Sequence, residues 1–241
     1  MIRTAVLADS LLQLRTLESL TSARNYNRWL ADLVRPYLGD DPIEIGSGLG
    51  ETAAIWLETG APRITLSELE PAGAATLRTR FAGDGRVDVV TLDITQRLEG
   101  ARRHTAAVAM NVLEHIEDDA GALSTLGQIV RPGGAVVLFV PAHQWAMSAF
   151  DRAIGHWRRY TRRSLHAVAE RAGLVPERIS YVNAPGLLAW LVGVKLLRRV
   201  PSDSWAVGVY DRVLVPIARG LETRTAPPFG QSVLAVCRVP R

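Results

Sequence analysis

The chain reads as an α/β fold on a mainly parallel sheet of seven strands with helices on both faces, and three observations predict it. Strand-like apolar runs alternate with helix-like segments almost throughout, a glycine-rich turn joins the first run to a helix, and no internal repeat or low-complexity tract breaks the pattern. At 241 residues, 48% of them hydrophobic and 22% charged, the chain is long enough for one domain with a full core.

The strands are expected at 42–46, 63–67, 86–92, 104–110, 135–141, 179–183 and 232–239. Helical spacing of apolar residues falls between them at 51–58, 72–81, 118–130 and 162–172, and "RPGG" at 131–134 supplies a helix stop, since proline cannot continue a helix and glycine accepts the left-handed turn that ends one. Two further helices, at 10–20 and 26–37, form a cap over residues 1–40. A helical insertion or lid is expected at 184–225, before the last strand.

Composition narrows the function classes. Cys237 is the only cysteine, so neither an intramolecular disulfide nor a cysteine metal cluster can form, which fits a reducing cytoplasm. Arg3, Asp9, Arg15 and Glu18 interrupt the apolar residues of the first twenty positions, so an amphipathic helix is expected there and secretion is not. The net charge is +4, and Lys195 is the only lysine among 28 basic residues. Nucleic-acid binding would want a basic stripe interleaved with aromatics; the one dense candidate is "RAIGHWRRYTRR" at 152–163, and nucleic acid is not the expected partner.

The segment "IEIGSGLGE" at 43–51 carries the first functional signal. Gly46, Gly48 and Gly50 are spaced G-x-G-x-G, whereas the dinucleotide fingerprint is G-x-G-x-x-G with N–H groups turned to pyrophosphate; here Glu51 stands at the sixth position. Glu44 lies inside the first strand, where a carboxylate needs a polar partner or a charge. A cationic, phosphate-free ligand such as S-adenosylmethionine would supply one; in the alternative, Glu44 and Glu51 face solvent or meet arginines. Glu68 then ends the second strand, near the ~20-residue offset at which an acid takes ribose hydroxyls. Asp93 ends the third strand, where it could accept from an adenine amine while Ile94 packs on the ring. "AMNVLEHIEDD" (110–119) follows the fourth strand at the same sheet edge.

In this order and spacing, "EIGSGLG", "SELEP", "TLDI", "NVLEHI" and "RPGG" resemble the motifs of class I S-adenosylmethionine-dependent methyltransferases, over roughly 26–174. The resemblance implies a Rossmann-like methyltransferase fold with a reversed last strand, and S-adenosylmethionine as cofactor with S-adenosylhomocysteine as product. By the same resemblance Glu44, Gly46, Ser47, Gly48 and Gly50 hold the methionine portion, Glu68 with Leu69 the ribose, and Asp93 with Ile94 the adenine. Asn111 and Val112 would line the pocket near the sulfonium, and Tyr26 in "NYNRW" would contact the cofactor from a closing helix. Residues 140–174 and the closing "PPFGQSVLAV" are similar to a bacterial small-molecule branch of the family. Glu68 departs from it, standing where aspartate is common.

Methyl transfer needs alignment first, and a base only if the nucleophile must lose a proton early. His115 and His143 are the candidate catalytic bases, each with an alternative role, His115 as a loop-orienting residue and His143 as a substrate contact. Trp145 would wall the substrate. "FDRAIGHWRRYT" could bring Asp151, His156, Arg159 and Tyr160 over the site mouth, with Arg158 and Arg159 binding a substrate anion; alternatively Asp151 only bridges the arginines. No H-x-x-x-H pair or carboxylate ladder appears, so no metal is expected. The run 185–200, "PGLLAWLVGVKLLRRV", is shorter than the ~20 residues of a membrane span. It reads as a core helix, as a lid placing Trp190 over an apolar substrate, or as a peripheral membrane contact. The expected activity is therefore methylation of a small organic acceptor, apolar or lipid-linked. A nicotinamide-dependent oxidoreductase and a non-catalytic cofactor-binding membrane-surface module are the alternatives, and oligomeric state is not legible.

Overall fold

The computed structural model describes residues 21–96, 98, 103–196 and 204–241. The expected helix at 10–20 and positions 197–200 of the apolar run lie outside them. Helix α1 (Arg24–Val34) ends in a 3-10 turn, Arg35–Tyr37, before strand β1 (Pro42–Ile45). Then come α2 (Glu51–Glu58), β2 (Ile64–Glu68), α3 (Pro71–Arg80), β3 (Val87–Thr91), β4 (His104–Met110), α4 (Asp119–Ile129) and β5 (Val130–Pro141). A short helix α5 (Ala149–Ala153), α6 (Arg162–Arg171) and β6 (Val175–Val182) follow. Helix α7 (Ala184–Trp190) runs on into a π-helical turn, Leu191–Leu196. Helix α8 (Ser204–Val209), a second π turn (Tyr210–Leu214), α9 (Val215–Glu222) and β7 (Ser232–Arg238) complete the chain.

The seven strands form one sheet in the order β3-β2-β1-β4-β5-β7-β6. The pairs β1–β2, β2–β3, β1–β4 and β4–β5 are parallel, and β7 runs antiparallel to both β5 and β6. The last strand is thus reversed, as the resemblance implied. Chain order reverses between β1 and β4, and in an open α/β sheet the crevice at such a switch point is where ligands bind.

Alternate residues of each central strand enter different cores. Ile43, Ala107, Leu138 and Val140 lie with α4 and α6, while Leu66, Val108, Val137 and Phe139 lie with α1, α2 and α9. This two-sided burial explains the near-continuous apolar strands. Trp56 donates its indole N–H to the Ala31 carbonyl at 3.0 Å and fixes α2 against α1.

Two boundaries differ from expectation. Helix α4 stops at Ile129, but strand structure resumes at once: Val130 pairs with His104, the register shifts across "RPGG", and Ala135 pairs with Ala106. Proline and glycine here make a bulge inside a strand, which looks the same in sequence as a loop. Strand β6 begins at Val175, four residues early, because its first half is an exposed edge without an apolar run. Among the described residues no helix is long and apolar enough to cross a membrane.

Candidate active site at the carboxyl edge of the sheet

The turn after β1 is a left-handed glycine turn. Gly46, Gly48 and Gly50 have φ of 64°, 56° and 80°, a region that costs other residues ~1–2 kcal/mol. Ser47 locks the turn to β2: its amide donates to the Ser67 carbonyl at 2.9 Å, and its hydroxyl accepts from the Ser67 amide at 3.2 Å. A Cβ on Gly46 would stand 2.8 Å from Val112 Cγ2, so the turns after β1 and β4 meet there.

Glu44 is registered beside Leu66 and Val108 and is 3% exposed, and its Oε2 has no hydrogen-bond partner. Burial, with a smaller push from Glu68, raises it to about 8, against a downward pull from Ser47. Glu68 reaches over the same turn and accepts the Gly48 amide. Its own pKa is raised by burial and pulled back by the Gly48 and Leu69 amides. Glu51 faces outward and pairs with Arg80 at 2.6 Å, so the arginine alternative describes this residue and not Glu44. An orphaned buried carboxylate oxygen beside an open glycine turn fits a ligand that carries an ammonium group.

Asp93 lies past β3 and accepts from the Thr95 amide at 2.9 Å and hydroxyl at 2.6 Å, which hold it below the usual carboxylate range. Ile94 behind it is buried, whereas Leu69 is exposed. Asn111 takes a left-handed φ of 53° and donates its amide to the Phe139 carbonyl at 2.7 Å. The loops after β1 to β4 therefore lie at the same edge of the sheet.

A second group gathers at the ends of β5, β7 and β6. His143, with φ of 64°, donates its amide to the Tyr160 carbonyl at 2.7 Å. Its ring stacks on Tyr181 at 4.8 Å between centroids and lies 5.3 Å from Trp145. Nε2 is buried without a partner, and desolvation followed by the Arg159 charge lowers the imidazole pKa, which keeps it neutral. The Tyr26 phenol packs by Tyr210 and hydrogen-bonds Ser232 at the start of β7; burial raises its pKa. Trp190 donates to the Ala146 carbonyl at 3.2 Å and lies under the Arg159 guanidinium at 4.4 Å.

The polar cluster of 151–160 is mostly self-satisfied. Asp151 is fully buried: Oδ1 takes Arg159 Nη2 at 2.7 Å and Nε at 3.1 Å, and Oδ2 takes the Ser148 amide at 2.6 Å and hydroxyl at 2.7 Å. Desolvation pushes its pKa up, but a hydrogen bond from His156 together with these contacts outweighs it and holds Asp151 at about 2. Arg158 pairs with Asp119 at 2.7 Å, and the Tyr160 hydroxyl donates to Asp119 at 3.0 Å. Arg159 and Tyr160 also border a groove of about 500 Å³ with Asp119, Arg163 and Arg171, and no residue of the glycine turn lines it. His115 packs edge-on against His156 at 4.5 Å, and burial lowers it to about 4.

Sequence reading missed the residues that hold the insertion in place. Asp211, 4% exposed, accepts the Asn25 and Tyr26 amides at 3.1 and 2.8 Å and so caps α1 from the far end of the chain. Glu222 accepts the Asn183 and Ala184 amides at 2.9 Å each and caps α7. Both are acids in or beside the helical stretch that follows the apolar run 185–200, and an acid there is the only signal they offer. Glu114, fully buried with both oxygens unpartnered, was also missed, because its motif was read through its neighbours.

Comparison with known proteins settles the family. A family model described as "Methyltransferase domain" matches residues 13–178. The chain belongs to this methyltransferase family. Its activity class is therefore S-adenosylmethionine-dependent methyl transfer. A comparison with curated proteins finds no match. Among solved structures this methyltransferase is similar to the [4+2]-cyclase SpnF, at 20% identity and a TM-score of 0.60, covering 88% of this chain and 81% of that one. Phosphoethanolamine N-methyltransferase 2 of Haemonchus contortus, solved with S-adenosyl-L-methionine, is 16% identical with a TM-score of 0.61, covering 90% and 53%. Geranyl diphosphate C-methyltransferase of Streptomyces coelicolor A3(2), solved with Mg²⁺, geranyl diphosphate and S-adenosyl-L-homocysteine, is 14% identical with a TM-score of 0.57, covering 87% and 76%. At these identities the likeness shows the fold, and a cyclase among the neighbours illustrates that fold alone does not set the acceptor.

Proposed function

We propose that this methyltransferase acts on a small organic acceptor, with the cofactor across the ends of β1 to β4 and the acceptor across the ends of β5, β7 and β6. The observation that carries the placement is Glu44 Oε2, a buried, partnerless carboxylate oxygen at the switch point of the sheet. In this reading Glu44 takes the cofactor's ammonium and the turn from Gly46 to Gly50 lets its backbone approach closely. Glu68 with Leu69 takes the ribose, Asp93 with Ile94 the adenine, and Asn111 and Val112 flank the reacting centre. When bound, S-adenosylmethionine supplies a methyl group already activated by its sulfonium, so the protein's main task is positioning, worth up to ~7–11 kcal/mol.

On the acceptor side, Trp145, Tyr181 and Trp190 supply apolar and aromatic surface, which favours an apolar or lipid-linked molecule. His143, neutral and with Nε2 unpaired, has the protonation state of a base for a phenol, alcohol or carboxylic acid. Asp151 and Arg159 hold the loop that presents it and do not bind the acceptor themselves. Transfer of labelled methyl groups from S-adenosylmethionine to a panel of phenols, carboxylic acids and prenylated alcohols tests the reading. The expected result is product with at least one apolar acceptor, and a ~10²-fold or greater fall in kcat for His143→Ala with S-adenosylhomocysteine affinity within about twofold. Equal loss of turnover and cofactor affinity would assign His143 a structural role.

A further inference from the structure

Glu114 presents an unsolved electrostatic problem. It follows β4 in the turn Leu113–His115, has no exposed surface, and neither carboxylate oxygen has a hydrogen-bond partner. A buried carboxylate in that condition must stay protonated or be met by a cation. Arg159 is near enough to attract it, but that guanidinium is committed to Asp151 and the Ala142 carbonyl.

Two imidazoles face the same gap. One donor atom from each of Glu114, His115 and His156 can be chosen so that all three lie within 4.8 Å of one another. His156 Nε2 is 3.9 Å from Glu114 Oε1, too far for a hydrogen bond. Ligands about 2.1 Å from a tetrahedral ion stand roughly 3.4 Å apart, so the donors must draw together by up to about 1.4 Å to close the shell. The two rings meet at 87°, edge to face.

The surroundings orient these donors. His156 Nδ1 lies 3.2 Å from Asp151 Oδ1, a carboxylate that Arg159 and Ser148 already hold rigid. With Nδ1 donating to Asp151, Nε2 carries its lone pair toward Glu114, the carboxylate–histidine arrangement by which proteins prepare an imidazole to bind a metal. The His115 ring donates to backbone carbonyls of Gly155 and Ile154, on the loop that carries His156.

We infer that Glu114, His115 and His156 form a binding site for one divalent transition-metal ion. Two nitrogens and one carboxylate oxygen suit zinc and its first-row neighbours, whereas magnesium and calcium prefer oxygen-rich shells. Three protein ligands leave at least one position for a water or another oxygen donor. The ion would neutralise Glu114 and tie the turn after Asn111 and Val112 to the loop leading into Tyr160. Local spacing in the sequence gave no hint, because His156 reaches the pair only through the fold. The inference does not depend on the identity of the methyl acceptor or on His143.

The test is metal binding itself. Full-length protein is stripped with a chelator, dialysed, and titrated with zinc chloride by calorimetry, with bound metal counted by elemental analysis. One equivalent per chain is expected, with affinity reduced at least 100-fold in Glu114→Gln and in His115→Gln, and no saturable heat from magnesium chloride. His166→Ala is the control, since His166 and Glu170 form an exposed pair at 3.2 Å that could bind zinc adventitiously. X-ray absorption of the zinc-loaded wild-type chain needs no variant to fold, and two imidazoles with oxygen at ~2.0–2.1 Å are expected. Absence of stoichiometric zinc, binding unchanged in both Glu114→Gln and His115→Gln, loss only in His166→Ala, or a sulfur-containing or single-imidazole shell would each overturn the inference.

Discussion

The Glu68 carboxylate at the end of β2 accepts the amide hydrogen of Gly48, which ties the second strand to the middle of the glycine turn. One side chain therefore both shapes the turn and, in the proposed site, meets the ribose. A carboxylate has lone pairs enough for both. Glu68→Ala is expected to weaken S-adenosylhomocysteine at least tenfold by calorimetry, and Glu68→Gln, which still offers an acceptor to Gly48, less. Unchanged affinity in both variants would place the ribose elsewhere.

Glu44 gives the cofactor crevice a pH signature. Its ordinary value of 4.5 rises to about 8 in the folded chain, chiefly through burial. Between those values the folded chain keeps a proton that the unfolded chain has released, so stability falls as pH rises through the window. An ammonium ligand favours the ionised form, so affinity is expected to rise with pH, by at most tenfold per unit, until about pH 8. Glu44→Gln should flatten the stability profile between pH 5 and 8 and weaken cofactor binding. Urea unfolding and calorimetry at half-unit steps check both, and a variant that keeps the wild-type slopes would contradict the assignment.

Gly46 is where two loops are packed through a missing side chain. Gly46→Ala must accept a left-handed φ, at ~1–2 kcal/mol, and must move Val112, whose methyl would lie 2.8 Å from the new carbon. Cofactor affinity is expected to fall more than stability, since the displaced turns both line the crevice. Gly60→Ala, also left-handed but facing open space, should destabilise without loss of affinity. Thermal melts with and without S-adenosylhomocysteine separate the two effects.

Asp151 and Arg159 form a buried pair whose disruption leaves one charge alone. Asp151→Ala is expected to cost ~3–5 kcal/mol, and the double variant with Arg159→Met less than the sum of the singles. Unfolding free energies from urea titrations test this, and a loss below about 1 kcal/mol for Asp151→Ala would show that the pair is not holding the loop.

Most of the sheet and the cofactor edge were legible because the signals are local. Alternating apolar runs marked the central strands, and a carboxylate inside β1 was anomalous on sight. What was not legible depends on contacts between distant segments. Asp211 capping α1 and His156 approaching Glu114 have no periodicity to betray them. The residue types at 151–159 suggest an anion site, yet the fold pairs Arg159 with Asp151 and Arg158 with Asp119, and sequence alone does not tell a binding arginine from a bridging one. The "RPGG" bulge shows the same limit at the level of backbone, where a break in pattern marks a change of geometry but not which change.

The central claim is that the crevice at the β1–β4 switch point takes a cationic, phosphate-free cofactor through Glu44. Calorimetric titration of the wild-type chain with S-adenosylmethionine, S-adenosylhomocysteine and NAD, repeated on Glu44→Gln, tests it most directly. Saturable binding of the first two is expected, at least tenfold weaker in the variant, with none of NAD. Binding of NAD alone, or S-adenosylhomocysteine affinity indifferent to Glu44→Gln, would contradict it.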